Sequence, residues 1–157
     1  MSRADLSYAY AQARLQSRFG ERPHTSDWQH LEATRDVGAV LQVVRAGRLA
    51  RWTARITSRP GVHELERRLR EEWMRAVDEV ASWQPGHWRE GTRWMRWITY
   101  LPALQKLARG GRAPAWMRAD PILGPIVARE PRERGPSLAG TPLAPLADGF
   151  GTPPDVA

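Results

Sequence analysis

The sequence predicts an all-α protein: a single multi-helix bundle over residues 5–128, followed by a disordered C-terminal tail over residues 129–157. Three observations lead there. Apolar residues recur at three- and four-residue steps through most of the first 128 positions. Strand signals are almost missing, with no alternating run of β-branched residues and no Asn-Gly or Asp-Gly hairpin. Residues 129–157 hold six prolines and four glycines, too many for a packed element, so they read as disordered. A short docking motif around Leu143–Phe150 is the alternative reading of that tail.

The elements follow in order. A first helix is expected from about Asp5 to Phe19, with Leu6, Tyr10, Ala13 and Leu15 as its apolar positions and Gly20 where a helix would stop. Pro23 separates it from a second helix, capped by Ser26 or Asp27, whose buried face carries Trp28 and Leu31 one turn apart. Asp36 can begin a third, with Val37, Val40, Leu41 and Val44 at helical spacing. After Gly47 the pattern resumes with Leu49, Trp52 and Ile56 until Pro60-Gly61 ends it.

The clearest element runs from about Val62 to Trp83. Val62, Leu65, Leu69, Trp73, Ala76, Val77 and Val80 form one stripe. Between them, Glu64–Arg68, Glu66–Arg70 and Glu71–Arg75 stand four residues apart in the favourable order, each worth about 0.2–0.5 kcal/mol on a solvated face. Pro85-Gly86 breaks the chain. A sixth helix groups Trp94, Trp97, Ile98 and Leu101, and Pro102 kinks or restarts it into a segment ending at Gly110-Gly111. Two short turns, near Pro114–Arg118 and Asp120–Ala128, close the bundle.

Composition narrows the function classes. The 157 residues suit one domain with a core of its own, and 41% hydrophobic with 26% charged residues is ordinary for a globular chain. No apolar stretch approaches the roughly 20 residues that span a bilayer. Asp5 stands where a signal peptide would place its apolar segment, and cysteine is absent, so a cytoplasmic location is expected, peripheral to a membrane only through a partner. The net charge is +7, and Lys106 is the sole lysine among 24 basic residues. Arginine forks grip carboxylates and phosphates and stack on rings, which suits an interaction surface; a genome favouring arginine codons gives the same ratio.

No constellation for making or breaking bonds is visible, and neither a cofactor nor a metal is expected. His24, His30, His63 and His87 are not spaced as ligand pairs; His63 and Glu66 supply half a metal site at best and read as an exposed pair. No serine sits in a Gly-x-Ser-x-Gly elbow, and Gly110-Gly111-Arg112 is a helix terminator rather than a phosphate cradle. Eight tryptophans mostly occupy apolar helix phases, as core packing requires. Trp88, Trp94 and Trp97 also alternate with Arg89, Arg93 and Arg96, and Arg45, Arg48, Arg55 and Arg59 form a second basic row around Trp52. Interleaved cations and rings suit stacking on bases, so an arginine- and tryptophan-rich nucleic-acid-binding module is the alternative function.

Tyr8-Ala9-Tyr10-Ala11-Gln12-Ala13-Arg14-Leu15 resembles the opening of the C/d-type family of rotor-coupling proteins from archaeal and vacuolar-type rotary ATPases, which begins aromatic-small-aromatic, two residues, then Ala-Arg-Val or Ala-Arg-Leu. Arg18, the break, Trp28 with Leu31, and Asp36–Leu41 continue the likeness through about residue 56. The resemblance implies a non-catalytic coupler built of helical bundles, three in the family where this chain has material for one. It also implies that Leu6 and Tyr10 pack inward while Arg14 pairs with a carboxylate of a neighbouring helix.

The expected function is therefore a non-enzymatic subunit or adaptor of a larger protein assembly, bound to other protein subunits or to further copies of itself. Tyr8, Tyr10 and Arg14 are its resemblance-derived contact residues. Arg45, Arg48, Arg55, Arg89, Arg93 and Arg96 are its candidate exposed partner contacts.

Overall fold

The computed structural model describes residues 3–56, 60–139, 141 and 143–150. Among them every regular element is helical, so the chain is all-α. Arg59, of the basic row around Trp52, and the tail residues 151–157 lie outside the described residues. The chain divides into two compact units, Met1–Arg96 and Trp97–Ala157.

The first unit contains α1 (Arg3–Gly20), α2 (Thr25–Ala33), α3 (Val37–Ala46), α4 (Ala50–Thr53), α5 (Val62–Trp83) and α6 (Gly86–Trp94). Asp36 begins α3 as expected, its carboxylate accepting the Ala39 N–H at 2.8 Å. The start of α2 differs from expectation. His24 is the cap, and the Asp27 carboxylate reaches back to accept the His24 backbone N–H at 2.8 Å, so Asp27 lies inside the helix. No α2 residue is buried, and Trp28, assigned to a buried face by its spacing, is 49% exposed. A nine-residue helix with so weak an apolar stripe has little to press into a core.

α5 is the axis of this unit, with α1, α4 and α6 all packed on it. Its apolar stripe is covered only toward the C-terminal end. Val77, Ala81 and Trp83 are buried, whereas Val62 and Leu69 are exposed. The neighbouring helices are too short to reach along all 22 residues.

The second unit contains α7 (Leu101–Ala108), α8 (Ala115–Ala119), α9 (Gly124–Val127) and α10 (Arg134–Leu138), with 3₁₀ turns at Pro131–Glu133 and Ala144–Phe150. A further 3₁₀ turn, Met95–Tyr100, carries the chain from one unit to the next. Pro102 sits in the first turn of α7, where its missing N–H costs nothing. Gly110 ends that segment at φ +75°, a conformation other residues rarely adopt. The Asp120 carboxylate accepts the backbone N–H groups of Ile122 and Leu123 at 2.9 and 3.0 Å, and so directs the chain into α9.

Within this all-α fold the chain parts at Arg96/Trp97 into two compact units. Short helical elements continue past residue 128, where α10 and the 3₁₀ turn after it pack together with Leu138 and Leu143 fully buried. Ser137 and Thr141 hydroxyls donate to the Arg134 and Leu138 carbonyls at 2.6 and 2.8 Å, satisfying backbone groups that a proline-rich segment leaves open. Proline and glycine forbid a long element there, not burial.

Candidate interaction surface

α1 places Ser7, Ala11, Leu15 and Arg18 toward α5 and leaves the rest of its circumference to solvent. Ala11 is its one fully buried side chain among the described residues. Leu6, Tyr8, Tyr10 and Phe19 are each more than half exposed. This corrects the inward packing of Leu6 and Tyr10 that the family resemblance implies. The small Ala11, and not the rings beside it, lets α1 approach its neighbour.

Arg14 and Arg18, one turn apart, lay their guanidinium carbons 4.4 and 4.5 Å from the centre of the Trp83 ring. Trp83 is 8% exposed, so these cations sit over a largely desolvated ring, where such contacts are strongest. Arg14 also donates to the Tyr10 hydroxyl at 2.6 Å. The carboxylate partner expected for Arg14 belongs instead to Arg18, which pairs with Glu79 of α5 at 2.5 Å. Arg51 approaches the same carboxylate at 3.9 Å. Trp52 stacks on Trp73 at 6.4 Å, and the Trp73 indole N–H donates to the Met95 carbonyl at 3.0 Å.

The candidate arginines fall into two sets. Arg55 lies 3.6 Å from Glu72, while Arg93 and Arg96 lie 3.9 and 2.9 Å from Asp78, so carboxylates of α5 balance all three. Arg45 donates to the Ile56 carbonyl at 2.5 Å, and Arg48 to the Gly20 and Arg22 carbonyls at 3.1 and 3.5 Å. Among the described residues these two are held by backbone carbonyls rather than by carboxylates. Arg89 buries its Nε without a hydrogen-bond partner among the described residues. The structure thus gathers Arg14, Tyr10 and Arg48 around α1, and Arg93 with Arg96 around Asp78; it does not unite the nine residues in one patch.

Sequence reasoning overlooked Phe19 and Arg22, whose guanidinium lies 4.1 Å from the Phe19 ring centre. A signal for them was present. From Leu6 to Gly20 the chain has no acidic residue and only two basic ones, both used on Trp83.

The outer face of α5 behaves differently. Glu64 receives Arg67 and Arg68, and Glu71 receives Arg67, Arg68 and Arg75. Hydrogen bonds from Arg67 and then Arg68 hold the Glu64 carboxyl below the usual carboxylate range, and Glu64 raises Arg67 in return.

Among the described residues no group of three or more His, Asp or Glu side chains is placed to hold a metal ion. His63 Nδ1 and Glu66 lie 3.6 Å apart in the open. An open groove of about 820 Å³ beside the start of α3 includes Asp36 and Arg45, but the first caps α3 and the second is tied to Ile56. In the second unit a groove of about 290 Å³ between Trp97, Ile122, Pro125 and Leu143 has the Ser137 and Thr141 hydroxyls as the polar groups near its apolar walls. No described helix is long and apolar enough to cross a membrane.

No protein-family model, curated protein or solved structure matches the chain.

Proposed function

We propose that this protein is a non-catalytic subunit or adaptor of a larger protein assembly, docking through its Met1–Arg96 unit. One observation carries the reading. Among the described residues seven apolar side chains are buried in that unit, while ten large apolar ones, Leu6, Tyr8, Tyr10 and Phe19 among them, remain exposed. A monomer in water gains nothing from such a surface, and a partner that covers it does.

The finer reading, a coupler similar to the C/d-type proteins of rotary ATPases, is supported by the Tyr8–Leu15 likeness alone. The outward Tyr8 and Tyr10 would then be contact residues rather than core. A cytoplasmic location, peripheral to a membrane only through the partner, goes with it.

The test is quantitative affinity capture of the tagged full chain from its native cells, beside a Tyr8→Ser/Tyr10→Ser double variant with an unchanged circular dichroism spectrum. A stoichiometric set of proteins retained by the first and lost by the second supports the adaptor reading, and motor subunits in that set support the coupler. Identical retention by both sinks the adaptor reading. The nucleic-acid alternative gains support from the ring–guanidinium contacts on α1, and a salt titration against single- and double-stranded oligonucleotides discriminates it. Tight binding that weakens steeply with salt favours nucleic acid; no binding at low salt removes it.

A further inference from the structure

The second unit leaves its cations without acids. From Trp97 to Ala119 the chain carries Lys106, Arg109, Arg112 and Arg118 and no acidic residue. The next carboxylate, Asp120, is buried and engaged by the backbone N–H groups of Ile122 and Leu123. Lys106, Arg109 and Arg112 are exposed, and among the described residues none of them meets a carboxylate. The first unit treats its arginines otherwise: it lays them on rings, ties them to carbonyls or pairs them with α5 carboxylates.

The turn that ends α7 brings these three together. Lys106 and Arg109 stand three residues apart across its last turn, on one side of the helix. Gly110, at φ +75°, donates its N–H to the Leu107 carbonyl at 3.0 Å, and Gly111 donates to the Lys106 carbonyl at 2.9 Å. The chain therefore folds back over Lys106, so closely that a Cβ on Gly111 would stand 2.7 Å from the Lys106 Cγ. Arg112 leaves from that contact. Cations also complement the dipole at a helix C-terminus, which accounts for Lys106 and Arg109 but not for Arg112 beyond the turn.

We propose that this turn grips the phosphate backbone of a nucleic acid, with Lys106, Arg109 and Arg112 each meeting a phosphate. The three long side chains leave the chain within about one helical turn, ~5.4 Å of axis, and each strand of a duplex offers a phosphate about every 3.4 Å. An acidic protein fits less well. Protein interfaces take an apolar centre, and Ile98 is the sole large apolar side chain exposed among those described in this unit. An anionic membrane fits less well for the same reason, because a helix that lies on a bilayer buries an apolar face in it. The inference goes beyond the adaptor reading and does not draw on it, since it concerns the other unit.

Fluorescence anisotropy of the full chain against labelled single- and double-stranded oligonucleotides of mixed sequence, titrated with salt, tests the proposal. A Lys106→Gln/Arg109→Gln/Arg112→Gln variant should bind more weakly at low salt. Its slope of log affinity against log salt should be shallower by about 2–3, whatever the oligonucleotide sequence, because phosphate contacts read charge and not bases. A Lys106→Arg/Arg109→Lys/Arg112→Lys variant keeps the charges and should keep the slope. Arg93→Gln/Arg96→Gln removes two guanidinium groups already paired with Asp78 and should leave the slope unchanged.

No binding at about 50 mM salt, or a slope that the glutamine variant does not change, overturns the proposal. So does a slope lost equally in the charge-keeping variant, which would show a disturbed turn rather than missing phosphate contacts. A slope that falls only with Arg14→Gln/Arg22→Gln/Arg48→Gln places the nucleic acid on α1 and overturns it too. So does sedimentation with phosphatidylserine-rich vesicles, lost with the same three cations, where no oligonucleotide binds. None of these outcomes touches capture through Tyr8 and Tyr10, so the adaptor reading stands or falls separately.

Discussion

The two units of this chain solve the same packing problem with opposite results. Residues Trp97–Ala157 bury nine apolar side chains and leave one large apolar residue, Ile98, exposed among those described. The unit Met1–Arg96 is more than half as long again, yet among its described residues buries only seven and exposes ten. Length alone predicts the reverse, since buried fraction rises with size. The smaller unit has satisfied its apolar surface internally. The larger one holds its helices together with arginine laid on tryptophan and with ion pairs on α5, and its apolar residues face outward. A surface of that kind makes sense where something else completes it.

Trp83→Ala is the most severe way to break this contrast, because the ring is both buried and the seat of Arg14 and Arg18. A loss of about 3–5 kcal/mol is expected in urea unfolding, with α1 released from α5. A loss below about 1 kcal/mol means that the arginine–tryptophan contacts do not hold the first unit together. Leu138→Ala is next, at about 2–5 kcal/mol, since its side chain is fully buried. Proteolysis should then open residues after 128 first; an unchanged stability would return that segment to an unstructured tail.

Surface pairs weigh less. Asp78→Asn takes the carboxylate from Arg96 and the more distant of two from Arg93, which keeps Glu90 at 2.7 Å; the setting is half-exposed, and about 0.2–1 kcal/mol is expected. Tyr10→Ser should change stability by less than about 0.5 kcal/mol, because that ring is 52% exposed, even though partner capture depends on it. A larger loss would mark Tyr10 as part of the fold rather than of the docking surface.

Much of the architecture was legible in the chain's periodicity. Asp36 announced α3, Pro85-Gly86 and Gly110 marked real ends, and the Glu–Arg spacing on α5 became the pairs Glu64–Arg68 and Glu71–Arg75. What periodicity cannot supply is which helix covers which stripe. Val62, Leu69 and Trp28 occupy regular apolar phases and stay exposed, because helical spacing specifies a face and not the length of the neighbour opposite it. Over residues 129–157 composition is silent on burial for a different reason: proline and glycine content reports on long elements, and Leu138 with Leu143 need only short turns to reach a core. Of the candidate contacts, the carboxylate-paired Arg55, Arg93 and Arg96 could not be told from Arg14, Arg45 and Arg48 without knowing where the carboxylates fall in space. Phe19 and Arg22 were readable only as an absence, the acid-free run from Leu6 to Gly20.

The smallest effect sharpens the comparison between the charge-laced and charge-poor helices by pH. Glu64 has its carboxyl lowered chiefly by hydrogen bonds from Arg67 and Arg68, so the folded state binds a proton there more weakly than the unfolded chain does. Stability from this site is therefore fully present above the ordinary carboxylate value of 4.5, and it drains away as pH falls below that value and on through the lowered one. The difference in unfolding midpoint between the native chain and Glu64→Gln should stay constant from neutral pH down to that threshold and then shrink. The side chain is well exposed, so the change is small and salt should diminish it further. A Glu64→Gln difference flat down to about pH 2 would mean that α5 draws no measurable stability from the outer charges around Glu64.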